Sequence, residues 1–249
     1  MTKRIAVAGK GGTGKTTFCA LIIKILLSQN KRPLLAVDAD PNSNLGELLG
    51  INYNTTIADV REELREQKNI PPAMAKSDYI DMRLNQIISE GNGFDLLVMG
   101  RPEGRECYCY INELLRGFLS KISKNYTTVV IDNEAGMEHL SRRTTDDIDE
   151  LFIISEPTFV SIKSAEKIFD LTKKIKLKIK NIHLILNKVK DQKSIENVTS
   201  KTNLKPAGII PYDENILKRS ESGNDLTSID EGSPVFSGIK NILLNTGII

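Results

Sequence analysis

Residues 5–17 read Ile-Ala-Val-Ala-Gly-Lys-Gly-Gly-Thr-Gly-Lys-Thr-Thr, and an apolar run at helical period follows from Phe18 to Leu27. A short strand, a glycine-rich turn and a helix start, in that order, leave few folds open. Gly9 to Thr16 fit the spacing G-x-x-x-x-G-K-[ST]. Gly11, Gly12 and Gly14, with Thr13 among them, let successive backbone N–H groups face one concavity, to which a helix N-terminus adds partial positive charge. Such a loop suits the phosphates of a nucleoside triphosphate. Lys15 is expected to reach the β- and γ-phosphates and the Thr16 hydroxyl to ligate Mg²⁺, with Thr17 beside them in the first helical turn. The pattern implies binding of ATP or ADP with Mg²⁺, and hydrolysis.

Lys10 is a second lysine near the start of the loop, where the basic pattern requires none. G-K-G-G-x-G-K-T-T resembles the deviant Walker A motif of the ATPase class that holds nitrogenase iron protein, the septum-placing and plasmid-partition ATPases and several metallochaperones. The resemblance implies a P-loop NTPase fold of the SIMIBI type. It also implies a homodimer in which Lys10 reaches the partner's nucleotide and acts with Lys15 in catalysis.

Short β-branched runs recur along the chain: 5–8, 34–38, 94–99, 127–132, 151–155, 182–187 and 207–210. Several are near-continuously apolar, as parallel strands covered on both faces are. Helix-period stretches lie between them, at 17–28, 110–124, 161–178 and 235–244. The alternation predicts an α/β fold with a doubly wound, mostly parallel sheet and helices on both faces. A chain of 249 residues suits one such core, so residues 1–249 are read as a single P-loop ATPase domain. Functional groups then belong at the carboxyl ends of the strands.

The remaining segments narrow the class. Residues 69–92 hold Pro71-Pro72 and several charges and read as a surface loop with short helical pieces. The lysines between Lys173 and Lys180 read as a solvated helix end, and the apolar 239–249 stretch as a packed terminal helix. A net charge of +2 gives no general signal for nucleic acid, and no apolar run approaches the ~20 residues of a membrane span. Neither a nucleic-acid nor a membrane partner is expected. Three cysteines do not make a disulfide framework, and residues 1–4 lead straight into the first strand, so a cytoplasmic location is expected.

Val37-Asp38-Ala39-Asp40-Pro41 ends the second strand with two carboxylates that suit Mg²⁺ and an attacking water. In the resembled class Asp38 lies in the metal's surroundings and Asp40 orients or activates the water. Val129-Val130-Ile131-Asp132 reads as a Walker B strand whose Asp132 holds a Mg²⁺-bound water, and Gly136 is placed to approach the γ-phosphate. Asn187 ends a late apolar strand. Its amide both donates and accepts, which suits the adenine edge that an asparagine reads in that class. Pro211 follows as a residue that lines the base.

Cys107 and Cys109 form a C-x-C pair after the 94–99 strand, on the same functional edge. In an extended segment their side chains would point to one side and grip one soft or borderline metal ion. Two thiolates do not complete a tetrahedral shell, whereas two chains about a two-fold axis supply four. Cys19, beside Ala20 and Leu21, reads as a core residue.

Glu103 to Tyr110, the stretch Asn133 to Thr144 and the deviant P-loop together resemble the CooC family, ATPases that assist nickel insertion into carbon monoxide dehydrogenase. A related maturation factor of acetyl-CoA synthase has a similar pattern. The resemblance spans the chain. It implies Ni²⁺ or Zn²⁺ on Cys107 and Cys109, ATP-dependent dimerisation and docking to apo carbon monoxide dehydrogenase or acetyl-CoA synthase, with His139 in a structural or switch-contact role. Two other classes remain. An iron-protein-like electron-transfer ATPase would carry a second, well-separated cysteine near the switch, and residues 133–143 hold none. A partition or septum-positioning ATPase would show a basic DNA face or a basic amphipathic C-terminus.

Overall fold

The computed structural model describes residues 2–66, 71, 73–101, 107–135, 147–174, 178–222, 224–226 and 228–249, and for 107–109, 220 and 221 the backbone alone. An eight-stranded sheet forms the centre, in the order β3-β4-β2-β5-β1-β6-β7-β8. The strands are β1 (Lys3–Gly9), β2 (Leu34–Ala39), β3 (Ser89–Glu90), β4 (Phe94–Val98), β5 (Thr128–Asn133), β6 (Asp147–Ser155), β7 (Lys178–Val189) and β8 (Pro206–Pro211). All described pairings are parallel except β3 with β4. The chain winds from β1 outward through β2, β3 and β4, returns through β5, then continues past β1 to β6, β7 and β8. That reversal puts β1, and the glycine loop at its end, at the topological switch point of the sheet.

Alternation along β1 shows why the sheet needs helices on both faces. Ile5 and Val7 pack into one core with α1 (Lys15–Ser28), α2 (Leu45–Leu48) and α9 (Pro234–Asn245). Ala6 and Ala8 pack into the other with α3 (Ile57–Glu66), α4 (Lys76–Gln86), α5 (Cys107–Ile122), α6 (Phe159–Lys174) and α7 (Gln192–Thr199). The remaining described helix, α8 (Glu214–Glu221), lies between β8 and α9 in the chain. Successive side chains of a strand point to opposite faces, so a strand buried on both faces reads as a continuous apolar run.

α1 is apolar nearly all round, with Phe18, Cys19, Leu21, Ile22, Ile23, Ile25 and Leu26 at or below 1% exposure. Each large side chain so buried contributes roughly 1.5–3 kcal/mol. Phe18 meets Phe152 of β6 edge to face at 5.3 Å. This packing fixes the helix whose first turn closes the glycine loop.

All seven expected strands are present, and the expected doubly wound sheet is the fold. The terminal stretch is a packed helix, with Val235, Phe236, Ile239, Ile242 and Leu243 buried. Two expectations need correction. Residues 69–92 contain an 11-residue helix, α4, anchored by Tyr79 and Leu84 at 4% and 1% exposure, and the short strand β3. The helix expected over 161–178 ends at Lys174, and Lys178 already opens β7. The basic run thus bridges a helix end and a strand start. Among the described residues no helix is long and apolar enough to cross a membrane.

Candidate nucleotide site

The loop after β1 is held by its own backbone and by the end of β7. Lys10 O accepts from Thr13 Oγ1 at 2.8 Å and from Thr13 N at 3.4 Å, closing a tight turn with Thr13 at 2% exposure. Gly12 and Gly14 have φ of 80° and 90°, a backbone that side chains rarely adopt. A Cβ on Gly14 would also sit 2.5 Å from Asn187 Nδ2. Gly14 caps α1 without a side-chain hydrogen bond, and the first turn holds no acid. The first N–H groups of α1 therefore carry neither a side-chain cap nor a competing negative charge, the arrangement a phosphate requires.

A cavity of about 630 Å³ opens over this loop. Gly11, Gly12 and Gly14 with Lys15, Thr16 and Thr17 line it, together with Asp40, Asn187 and Pro211. Nine of the expected residues thus share one cavity. The lining also holds Tyr212, next to Pro211 in the segment expected along the base, and residues that sequence reading missed: Ile216 and Leu217 of α8 and Val235 of α9. They are apolar side chains from loops and helix starts, brought together only by the packing of α8 and α9, and they suit the faces of a base. Thr13 and Lys10 lie outside the lining. Lys10 is exposed, whereas Lys15 is 6% exposed.

Asp38 and Asp132 lie behind the cavity, at 0% and 1% exposure. Asp38 holds the chain after β2: its Oδ1 accepts from Asp40 N at 3.1 Å and its Oδ2 from Leu45 N at 2.8 Å. Burial, then the neighbouring Asp132 charge, pushes its pKa up to about 7, against those two backbone bonds. It thereby aims Asp40, whose Oδ1 accepts from Asn42 N and Nδ2, both at 2.9 Å. Burial likewise pushes Asp132 up to about 6, partly offset by the Thr16 hydroxyl, the Lys15 ammonium and the Cys19 thiol nearby. Neither oxygen of Asp132 has a well-formed hydrogen bond. A buried carboxylate left so, beside the Thr16 hydroxyl and the Lys15 ammonium, fits a hydrated Mg²⁺, a hard cation that takes oxygen donors and keeps several waters. Cys19 is a packed core thiol whose pKa burial raises well above the usual value. Asn133, also missed, ties the end of β5 to β1 by donating from Nδ2 to Val7 O at 2.9 Å.

Asn187 does more than line the cavity. Its Nδ2 donates to Thr13 O at 2.8 Å and its Oδ1 accepts from Lys188 N at 2.9 Å. The amide therefore braces the glycine loop.

Cys107 and Cys109 open α5, after β4, at the carboxyl edge of the sheet. Their backbone is helical, not extended, so the same-side geometry of a strand does not apply to residues two apart. Residues 102–106 lie outside the described residues, as do Gly136, His139 and the remainder of 136–146. Among the described residues no cluster of three or more metal-ligating side chains occurs. His183 points its Nε2 at Glu150 Oε2, 2.8 Å away, on the β6–β7 pair.

Comparison with known proteins agrees with the fold and with a nucleotide-binding family. The profile of the CobQ/CobB/MinD/ParA nucleotide binding domain matches residues 5–226. An uncharacterized ATP-binding protein of Methanocaldococcus jannaschii is 41% identical over 243 residues, 96% of each chain. The carbon monoxide dehydrogenase accessory protein CooC of Rhodospirillum rubrum is 30% identical over 233 residues, 88% of each chain. The septum site-determining protein MinD of Pyrococcus horikoshii OT3, solved with Mg-ADP, shares the fold at a TM-score of 0.71 and 22% identity, over all of this chain and 96% of that one. With its switch-point glycine loop and buried carboxylates, the chain belongs to the CobQ/CobB/MinD/ParA family of nucleotide-binding domains.

Proposed function

We propose that the chain is an ATP-hydrolysing switch that delivers nickel to an apo-enzyme, carbon monoxide dehydrogenase or acetyl-CoA synthase. In this reading the first N–H groups of α1 and Lys15 hold the β- and γ-phosphates. Thr16 ligates Mg²⁺, and Asp132 holds one of its waters. When bound, Mg²⁺ neutralises the charge that develops on the phosphate oxygens. Asp40 orients a water in line with the γ-phosphate. Its described hydrogen bonds fall on Oδ1, which leaves Oδ2 to take the proton as the water oxygen bonds to phosphorus and the bond to ADP breaks. Asn187 and Pro211 meet the adenine, and the exposed Lys10 reaches the nucleotide of a second copy. Cys107 and Cys109 from each of two chains hold one Ni²⁺ or Zn²⁺ as cargo.

The observation that carries the metal reading is the C-x-C pair at the start of α5, on the sheet edge that also carries the glycine loop. The 30% identity to a protein named for carbon monoxide dehydrogenase supports it. Titration of Ni²⁺ with and without Mg-ATP, read with light scattering, tests it. One metal per two chains is expected. One metal per chain, unchanged by Cys107→Ser, overturns the shared site.

A second reading, a septum-positioning or partition ATPase, has its own support. The septum site-determining protein MinD of Synechocystis is 23% identical over 244 residues, 96% of this chain. Stimulation of ATP turnover by anionic vesicles or by DNA would favour it, and indifference to both favours metal delivery.

A further inference from the structure

Lys188 is the penultimate residue of β7. It is one of three described non-glycine residues with positive φ, at 58°. The pairing of β7 with β8 shifts register between Leu186 and Val189, around this residue. Its Nζ donates to Gly12 O at 2.6 Å and to Glu156 Oε1 at 2.7 Å. The preceding residue, Asn187, holds Thr13 O. Two consecutive side chains of β7 thus hold two consecutive carbonyls of the glycine loop.

Magnitudes decide what this arrangement is for. A left-handed backbone at a non-glycine residue costs roughly 1–2 kcal/mol. A half-exposed ion pair, here at 43% and 33% side-chain exposure, returns at most about 1 kcal/mol. The pair is therefore a poor device for stabilising the fold. Its geometry is better suited to orienting the loop. A trans peptide points its N–H opposite to its C=O. With the carbonyls of Gly12 and Thr13 drawn to the β7 side, the N–H groups of Thr13 and Gly14 turn the other way. Glu156 is itself fixed: its N–H donates to Ser161 Oγ at 2.9 Å, and Ser161 Oγ accepts from the fully buried Ser155 at 2.9 Å. The brace thus starts in the first turn of α6 and ends on the phosphate loop.

We propose that Lys188 is a positioning residue, an ammonium strut between Glu156 and the Gly12 carbonyl that sets the phosphate loop in its binding form before nucleotide arrives. The proposal rests on the nucleotide-site reading. Lys188 also lines the cavity, so the rival is a direct attraction between its charge and the phosphates. The two predict opposite signs at Glu156. Freeing Lys188 from Glu156 loosens a strut and weakens binding, whereas it releases a cation toward the phosphates and tightens binding in the rival.

The experiment is Mg-ADP and Mg-ATP titration, with AMP as a control, on wild type, Lys188→Met, Lys188→Arg, Glu156→Gln and the Lys188→Met/Glu156→Gln pair. Both single neutralisations are expected to weaken Mg-ADP and Mg-ATP by about tenfold, AMP by much less, and to leave thermal unfolding within a few degrees of wild type. The double variant is expected to lose no more than Lys188→Met alone, and Lys188→Arg to bind within about threefold of wild type. Tighter or unchanged binding in Glu156→Gln overturns the strut and leaves the nucleotide site standing. A wild type that binds neither nucleotide overturns both.

Discussion

Asp38 and Asp132 stand opposite each other in the register of two neighbouring parallel strands, β2 and β5, both buried and both on the face that α1 covers. Two carboxylates so placed, under one helix and away from water, share a desolvated environment and repel each other when ionised. Burial is the main cause that pushes Asp38 up to about 7 and Asp132 up to about 6, and the Asp132 charge adds to the rise at Asp38. In the proposed nucleotide site a bound Mg²⁺ would relieve this repulsion, and the Lys15 ammonium already offsets part of it at Asp132.

The pH dependence follows in sign. Both native values lie above the ordinary carboxylate value, so between about pH 4 and 7 the folded state binds more protons than the unfolded one, and stability falls as pH rises. Asp132→Asn removes one of these charges. The nucleotide-free variant is expected to be more stable than wild type at pH 8, by roughly 1–3 kcal/mol, and the gain to shrink toward pH 4. Thermal unfolding at both pH values checks this. The same variant is expected to lose Mg-ATP turnover at every pH, and a gain that persists unchanged at pH 4 would refute the electrostatic cause.

Gly14→Ala meets two obstacles, a φ of 90° and Asn187 Nδ2 at 2.5 Å. The expected loss is roughly 1–3 kcal/mol of stability, together with nucleotide affinity, because the only routes to relief move the loop or the asparagine that braces it. Combining it with Asn187→Ala should recover part of the stability and none of the affinity. Unfolding midpoints and ADP titration separate the two.

Lys15 and Lys10 are expected to differ in kind. Lys15 is nearly buried at the helix start, and Lys15→Ala should abolish measurable ATP binding by one chain. Lys10 is exposed, and Lys10→Ala should leave single-chain affinity within a fewfold of wild type while removing ATP-dependent dimerisation and turnover. Equilibrium titration beside light scattering distinguishes these outcomes.

Cys107→Ser and Cys109→Ser are each expected to abolish Ni²⁺ binding with nucleotide affinity unchanged. Cys19→Ser is expected to leave Ni²⁺ binding intact and to lower stability, since it puts a hydroxyl in a fully buried apolar position beside Asp132. Metal content after gel filtration and unfolding midpoints check both halves.

Phe18→Ala should cost about 3–5 kcal/mol, because Phe18 is 1% exposed and packs on Phe152 across the α1–sheet interface. Nucleotide affinity should fall with it, as α1 carries the phosphate-binding turn. Denaturant unfolding gives the first number and ADP titration the second.

The sequence by itself determined the parts of this protein that rest on local chemistry. Glycines at fixed spacing, with Lys15 and Thr16 behind them, specify a phosphate loop, and mostly apolar runs of four to six residues specify buried parallel strands. α4 escaped because its helical signal is weak, two buried anchors among nine polar or partly exposed neighbours. What only the tertiary structure decided rests on pairing at long range. The Asp38–Asp132 juxtaposition joins residues 94 positions apart in sequence by strand register. The Lys188–Gly12 bond spans 176 positions, and Ile216, Leu217 and Val235 share one cavity with the glycine loop only after the sheet has wound both ways from β1. Residue type can say that an asparagine at the end of a strand is able to accept and donate. Which carbonyl it holds depends on the order in which eight strands stack, a property of the whole chain with no local sequence signature.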